Sequence, residues 1–371
     1  MNKIFVKGST ESFEGLADVF GRLAAQQSKG GAAVTVFQGG RCVADLSFGD
    51  YSTSSRQVVF SVSKLILAIA LHRVAERGAL NLDAQLSEAW PGFGSAGGSN
   101  VTVRDVLAHR TSLAALDVVQ TSQGVLSGGD REAVLAAAAT AHRLDGHGYH
   151  AVTFGTVLGA VVEEALGISV TELIRREIAD PLGVDLVLGG RQTEIHPVLF
   201  SEPAEASVPG APLPQRDGLL EALVADPELF NSDAFLEAGL PSMGVVTTAS
   251  SLARIMASTV SEVDGIRLLD ANTVDSMTRP CSSGLDLVLG VPTRFGSGTQ
   301  LSFPRLPIGR QSFGHEGAGG SVAFADPELA LGVGFTTNLF PSAPGASPLF
   351  LGLLPTIRHI ANERIAVLRE A

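Results

Sequence analysis

Strand-like sequence lies near both ends of this 371-residue chain and is missing from its middle third. That distribution restricts the fold more than any other feature. Ala32–Phe37 and Cys42–Phe48 read as β runs joined by Gln38-Gly39-Gly40-Arg41, a hairpin signal. A short strand, Gln57–Phe60, follows. β character returns at Leu285–Val291, Ser321–Ala325 and Ala330–Thr336. Between these ends, Val101–Ala108, Arg131–His142, Thr153–Leu166 and Val170–Ile178 carry helical patterning. Leu186–Asp233 is irregular and rich in proline and acidic residues. Short helices are predicted over Thr248–Ser258 and Asn272–Met277. A helix over Phe13–Gln27, with Ser12 as its N-cap, opens the chain, and one over Leu349–Leu368 closes it.

Strands that come from both ends of a chain must meet in one sheet. The expected fold class is therefore α+β: an antiparallel sheet flanked by helices, with an inserted all-helical lobe. Residues 1–78 and 240–371 would form a discontinuous α/β lobe. Residues 79–239 would form a mainly helical lobe with an irregular insertion. A small-molecule site is expected in the cleft between the lobes.

Composition bears on what the cleft could serve. A net charge of −12 excludes sequence-independent nucleic-acid binding and an electrostatic hold on an anionic membrane. Met1–Ser12 has no apolar core of a secretory signal, and no long uninterrupted apolar run is present. Cys42 and Cys281 suit reduced thiols better than a disulfide scaffold. These features predict a cytoplasmic protein that meets neither membrane nor nucleic acid.

Ser61-Val62-Ser63-Lys64 opens a strongly apolar helix, Ser61–Glu76, which Gly78 ends. At i and i+3 the Ser61 and Lys64 side chains share one face of the first turn. The positive end of the helix dipole favours a developing alkoxide there. Serine is a weak nucleophile that needs a base, and lysine becomes one only when burial or a neighbouring cation lowers its pKa. The chain has four lysines, Lys3, Lys7, Lys29 and Lys64, so every later cation except Lys64 is an arginine. A lone lysine in so apolar a run points to chemistry. The plain alternative is a lysine snorkelling from an exposed first turn. Ser63 reads as structural.

Tyrosine is as scarce: Tyr51 and Tyr149 are the two. Tyr51 reads as structural, whereas Tyr149 lies in a loop leading into a helix. A phenol beside an ammonium loses its proton more easily and can relay protons; the alternative is a packed loop aromatic. Ser312–Ser321 carries four glycines within seven residues, at Gly314, Gly317, Gly319 and Gly320. Such a loop lets backbone approach a ligand closely, or is simply a mobile turn. His315 is a polar wall of the site or a structural histidine.

Ser61-x-x-Lys64, Tyr149 and His315-Glu316-Gly317 occur in the order and rough spacing of three motifs, and here the chain resembles class C β-lactamase-like proteins. It is most similar to the family VIII carboxylesterases. Trp90-Pro91, Val101–Thr111 and Met243–Ala249 resemble family segments too, so the likeness runs over roughly residues 13–365. It implies a serine nucleophile, Ser61, assisted by Lys64 and Tyr149 as general base and acid. It further implies an oxyanion hole from the Ser61 and Ala318 N–H groups, and substrate contacts from His315, Gly317 and His150. No metal or organic cofactor is implied, and the expected partner is a small-molecule ester or amide.

Two departures shift the expected substrate. The Tyr-x-Asn motif reads Tyr149-His150-Ala151, and Lys-Thr-Gly reads His315-Glu316-Gly317. An amide and a fixed cation used on β-lactams are thereby lost, which favours esters. Competing readings are an amidase or D-amino-acid peptidase, an acyltransferase with weak β-lactamase side activity, and a non-catalytic binding protein. Gly92-x-Gly94-x-x-Gly97 sits in a loop that opens no helix, so no dinucleotide site is expected. His142, His147 and His150 lack a neighbouring ligand set for zinc. No G-x-S-x-G elbow is present. A homo-oligomer stays open.

Overall fold

The computed structural model describes residues 4–9, 13–98, 100–200 and 216–370. The proposed Ser12 cap lies outside them. Both chain ends build a single nine-stranded sheet. From the N-terminal part come β1 (Ile4–Ser9), β2 (Ala32–Gln38) and β3 (Arg41–Phe48). A two-residue strand, β4 (Gln57–Val58), leads to the Ser61 helix. In the middle stand β5 (Leu186–Leu188), β6 (Leu199–Phe200) and β7 (Val245–Thr247). The C-terminal part adds β8 (Ser282–Leu285), β9 (Pro292–Phe295), β10 (Gln300–Leu301), β11 (Phe313–Glu316), β12 (Val322–Asp326), β13 (Leu331–Thr337) and β14 (Leu339–Phe340).

The large sheet runs β1-β3-β2-β13-β12-β11-β10-β9-β8, with antiparallel pairing throughout. The strands from the two chain ends join at the β2–β13 pair, where residues 32–38 meet 331–337. Each end of the chain therefore supplies what the other lacks, as the strand distribution requires. Gly39 and Gly40, at φ 59° and 75°, make the two-residue turn whose twist suits a hairpin. One sheet face is covered by α1 (Glu14–Ala24) and the C-terminal helix Pro348–Glu370, through an apolar cluster that includes Phe20, Val34, Phe324 and Phe350.

The second apolar cluster surrounds α2 (Val62–Glu76), buried almost all round, which is why its apolar residues show no single face. The same cluster takes in helices Val103–Leu107, Thr153–Leu166 and Ala249–Val260, so α2 is shared between the helical block and the sheet side. A small sheet, β4-β7-β5, ties the strand before Ser61 to both.

Some expectations need correction. Leu285–Val291 is not one strand: Leu285 ends β8 and residues 286–291 are the turn to β9, because the Asp286 carboxylate accepts from the N–H groups of Val288 and Leu289. Strand β1 and the short β9–β10 edge carry too few alternating residues to show in the sequence. The Gly92–Gly97 segment lies in and after a short helix, Pro91–Ser95, and follows no strand. The stretch called irregular holds β5, β6 and the helix Gly218–Val224. Among the described residues, no helix is long and apolar enough to cross a membrane.

Candidate active site

β4 delivers the chain to a strained step. Phe60 has φ 48°, a left-handed conformation that bulky residues avoid. Its ring is gripped by Phe230 and Phe340 at 5.1 and 5.5 Å. Ser63 reinforces the step: its hydroxyl donates to the Phe60 carbonyl at 2.6 Å and accepts from the Val245 N–H at 3.0 Å. Ser63 is structural, and Ser61 is left at the mouth of α2.

Lys64 follows one turn later and is fully buried. Its Nζ donates to the carbonyls of Ala151 (2.8 Å) and Ser242 (3.0 Å), and lies 3.2 Å from Ser61 Oγ. Burial drives its pKa well below the ordinary lysine value, against a weaker upward pull from Asp217. A neutral amine has two hydrogens and one lone pair. In that form the two carbonyls would take the hydrogens and leave the lone pair for the Ser61 hydroxyl.

The Ser242 side chain fixes this arrangement. Its hydroxyl accepts from the Gly155 N–H and donates to the Val152 carbonyl, both at 2.6 Å. It thus caps the helix Thr153–Leu166 from across the chain, since Val152 offers no cap of its own.

Tyr149 lines the same pocket as Ser61, its ring centroid 5.0 Å from Lys64 Nζ. Burial holds its phenol well above the usual tyrosine pKa, and the nearby Glu316 and Asp286 add to this. The phenol is therefore protonated at neutral pH. This runs against the expectation of a phenol that yields its proton easily: burial of the phenol outweighs the lowering contacts around it.

The glycine-rich loop approaches Ser61 as closely as glycine permits. A Cβ on Gly317 would sit 2.3 Å from the Val59 carbonyl oxygen, and one on Gly319 would sit 2.4 Å from the Phe60 ring. The loop is therefore packed and not a free turn. It brings Ala318 to the same pocket wall as Ser61. Among the described residues, neither the Ser61 nor the Ala318 N–H donates to an acceptor in the protein.

The pocket itself, about 100 Å³, is lined by Ser61, Tyr149 and Ala318 together with Leu289, Val291, Phe303, Arg305 and Glu316. The other residues expected to touch substrate do not line it. His150 is fully buried, its Nδ1 donating to the Gly148 carbonyl and its Nε2 bonded to the Thr111 hydroxyl at 2.7 Å. His315 is buried beneath Tyr149, with Nδ1 donating to its neighbour's carbonyl, the Glu316 oxygen, at 2.6 Å. Gly317 serves by its missing side chain. Burial lowers both histidines to about 3, so neither is a cation at neutral pH.

Glu316 and Arg305 were not expected in the wall. Glu316 accepts from the Ala346 N–H at 2.7 Å and lies 3.8 Å from the Arg305 guanidinium. Asp286 was not anticipated either. It is fully buried, and Oδ1 accepts from the Tyr149 N–H at 3.0 Å. The one signal for it was an acid inside an otherwise apolar run.

Comparison with known proteins gives the family. The beta-lactamase family matches residues 16–352. Esterase/beta-lactamase LipL of Mycobacterium tuberculosis (strain ATCC 25618 / H37Rv) is 31% identical over 368 residues, covering 90% of this chain and 83% of LipL. The structure of EstA from Arthrobacter nitroguajacolicus Rue61a superposes with a TM-score of 0.83 at 26% identity, over 96% of this chain and 99% of EstA. A family VIII carboxylesterase matches in fold, with a TM-score of 0.81 at 22% identity, over 96% of this chain and all (100%) of its own. This chain belongs to the beta-lactamase family and is a hydrolase of the esterase/beta-lactamase type.

Proposed function

We propose that this protein hydrolyses carboxylic esters through an acyl-enzyme on Ser61. The observation that carries the reading is the fully buried Lys64 amine, its hydrogens occupied by two carbonyls and its Nζ 3.2 Å from Ser61 Oγ. Lys64 takes the Ser61 proton as Oγ attacks the ester carbonyl. The carbonyl oxygen becomes an oxyanion between the unpaired Ser61 and Ala318 N–H groups. The intermediate collapses, the C–O bond breaks, and the leaving alkoxide takes the Tyr149 proton. Lys64 returns its proton to Tyr149. Water then attacks the acyl-enzyme by the same route and frees Ser61 and the acid.

Preference for esters over β-lactams follows from charge. His315 stands where the related enzymes carry a lysine, and at a pKa of about 3 it cannot hold a substrate carboxylate. The one cation lining the pocket, Arg305, is already set against Glu316. A hydrolase of peptide-like amides or β-lactams would need Arg305 for that carboxylate. Acyl transfer would need an alcohol or amine to outcompete water at the same intermediate.

The test is incubation with p-nitrophenyl acetate, nitrocefin and a fluorophosphonate, with intact-mass detection. Ester turnover and a fluorophosphonate adduct on Ser61 are expected. Absence of both rules out the enzyme reading, and nitrocefin turnover faster than ester turnover replaces it with a β-lactamase.

A further inference from the structure

Seven large apolar side chains stand exposed among the described residues, and three of them lie together: Leu285 at the end of β8, and Leu287 and Leu289 in the turn after it. That turn joins β8 to β9 at the edge of the Ser61 pocket, where Leu289 and Val291 form part of the wall. Leu285, Leu287 and Leu289 are 56%, 44% and 38% exposed, while Val288 between them is buried against Tyr149 and Phe295. The turn thus presents a row of leucines outward, continuous with the pocket.

The row is held firmly. Asp286 accepts from the N–H groups of Val288 and Leu289 at 2.9 and 3.0 Å and from the Thr293 hydroxyl at 3.1 Å. The same carboxylate accepts from the Tyr149 N–H at 3.0 Å, and the Leu287 N–H donates to the His147 carbonyl at 3.0 Å. The leucines are therefore fixed relative to the Tyr149 loop. A pocket of about 100 Å³ has room for an ester group and a few carbons. Any longer chain must leave it, and the leucine row lies at that exit.

We propose that the substrates are esters carrying a medium-length apolar chain, which runs from the Ser61 pocket across Leu289 and Leu287. This rests on ester hydrolysis at Ser61. Exposed leucine gains by being covered, and so does each methylene that covers it.

The experiment measures kcat/KM below the micellar concentration for two series. One lengthens the acyl group of p-nitrophenyl esters from acetate through butyrate and hexanoate to octanoate, and the other lengthens the alcohol of alkyl acetates. One series is expected to gain about two- to fourfold per added methylene, mainly through KM. In the double variant Leu287→Ser, Leu289→Ser, the octanoate-to-acetate ratio, or its alkyl counterpart, should fall by about tenfold. The ratio is taken within each protein, and the fluorophosphonate labelling rate reports whether the variant is intact. If acetate is turned over but neither series gains with length, or the gain survives in the variant, the leucine row is not a chain site. A gain confined to micellar substrate makes it a lipid-surface contact instead. If acetate is not turned over and Ser61 is not labelled, ester hydrolysis fails and this inference fails with it.

Discussion

The floor and the rim of the pocket are built by opposite means. On the floor, Ser61 and Lys64 share one helical turn and Tyr149 comes from a distant loop, and Lys64 is sealed from water with its Nζ between fixed carbonyls. On the rim, three leucines face solvent from the end of β8 and the turn after it, whose anchor is one buried carboxylate, Asp286. Burial at the floor lowers the pKa of an amine and keeps the proton on a phenol, which sets reactivity. Exposure at the rim leaves apolar surface uncovered, which sets what binds. Asp286 touches both through the Tyr149 and Leu289 N–H groups, so the two regions are mechanically one.

Substitutions can break that comparison in order of severity. Ser61→Ala should lower ester kcat/KM by roughly a thousandfold or more, with Lys64→Ala close behind. Both are checked by steady-state kinetics alongside a thermal melt that shows the variants folded. Tyr149→Phe should cost about 10²-fold, seen mainly in kcat, because it removes a proton donor while keeping the ring. Full activity in that variant would dissociate Tyr149 from the floor.

Asp286→Ala attacks the junction. It strips acceptors from three backbone N–H groups, and at about 1–3 kcal/mol for each buried unpaired donor the loss should reach roughly 3–5 kcal/mol. Denaturant unfolding measures it. Both the acetate rate and the chain-length gain should drop together, whereas independent regions would lose one alone. At the mild end, Leu285→Ser should change stability by less than about 0.5 kcal/mol, because the side chain is exposed already.

Titration sharpens the same contrast. Lys64 must be unprotonated to act, and its pKa is pushed far below the ordinary value. Activity should therefore be present above that lowered pKa and fall as pH drops through it, with a pH–rate profile as the readout. Stability has its own acid limb. His150 and His315 are held at about 3 and His72 at about 4, against 6.5 when unfolded, all mainly by burial. Below 6.5 the unfolded chain takes up protons that the folded one refuses. The stability from burying these rings neutral is thus complete above about 6.5 and lost as pH falls toward 4 and 3. Melts across that window should show it.

The sequence determined the parts that depend on local pattern. Strand-like runs at both ends required a shared sheet, and two glycines at Gly39 and Gly40 marked its hairpin. The spacing of Ser61 and Lys64 put both on one helical turn, and scarcity of lysine and tyrosine singled out Lys64 and Tyr149. Tertiary structure decided the rest, because it depends on what distant segments bring together. Burial among distant segments lowers the Lys64 pKa, and the carbonyls of Ala151 and Ser242, from two other parts of the chain, fix where its Nζ lies. The Thr111 hydroxyl draws His150 away from the pocket, and packing buries His315 beneath Tyr149. A carboxylate that captures backbone N–H groups turns an apparent strand, Leu285–Val291, into the rim of the site. No spacing rule reports such contacts, since each pairs an ordinary residue with backbone far away in sequence.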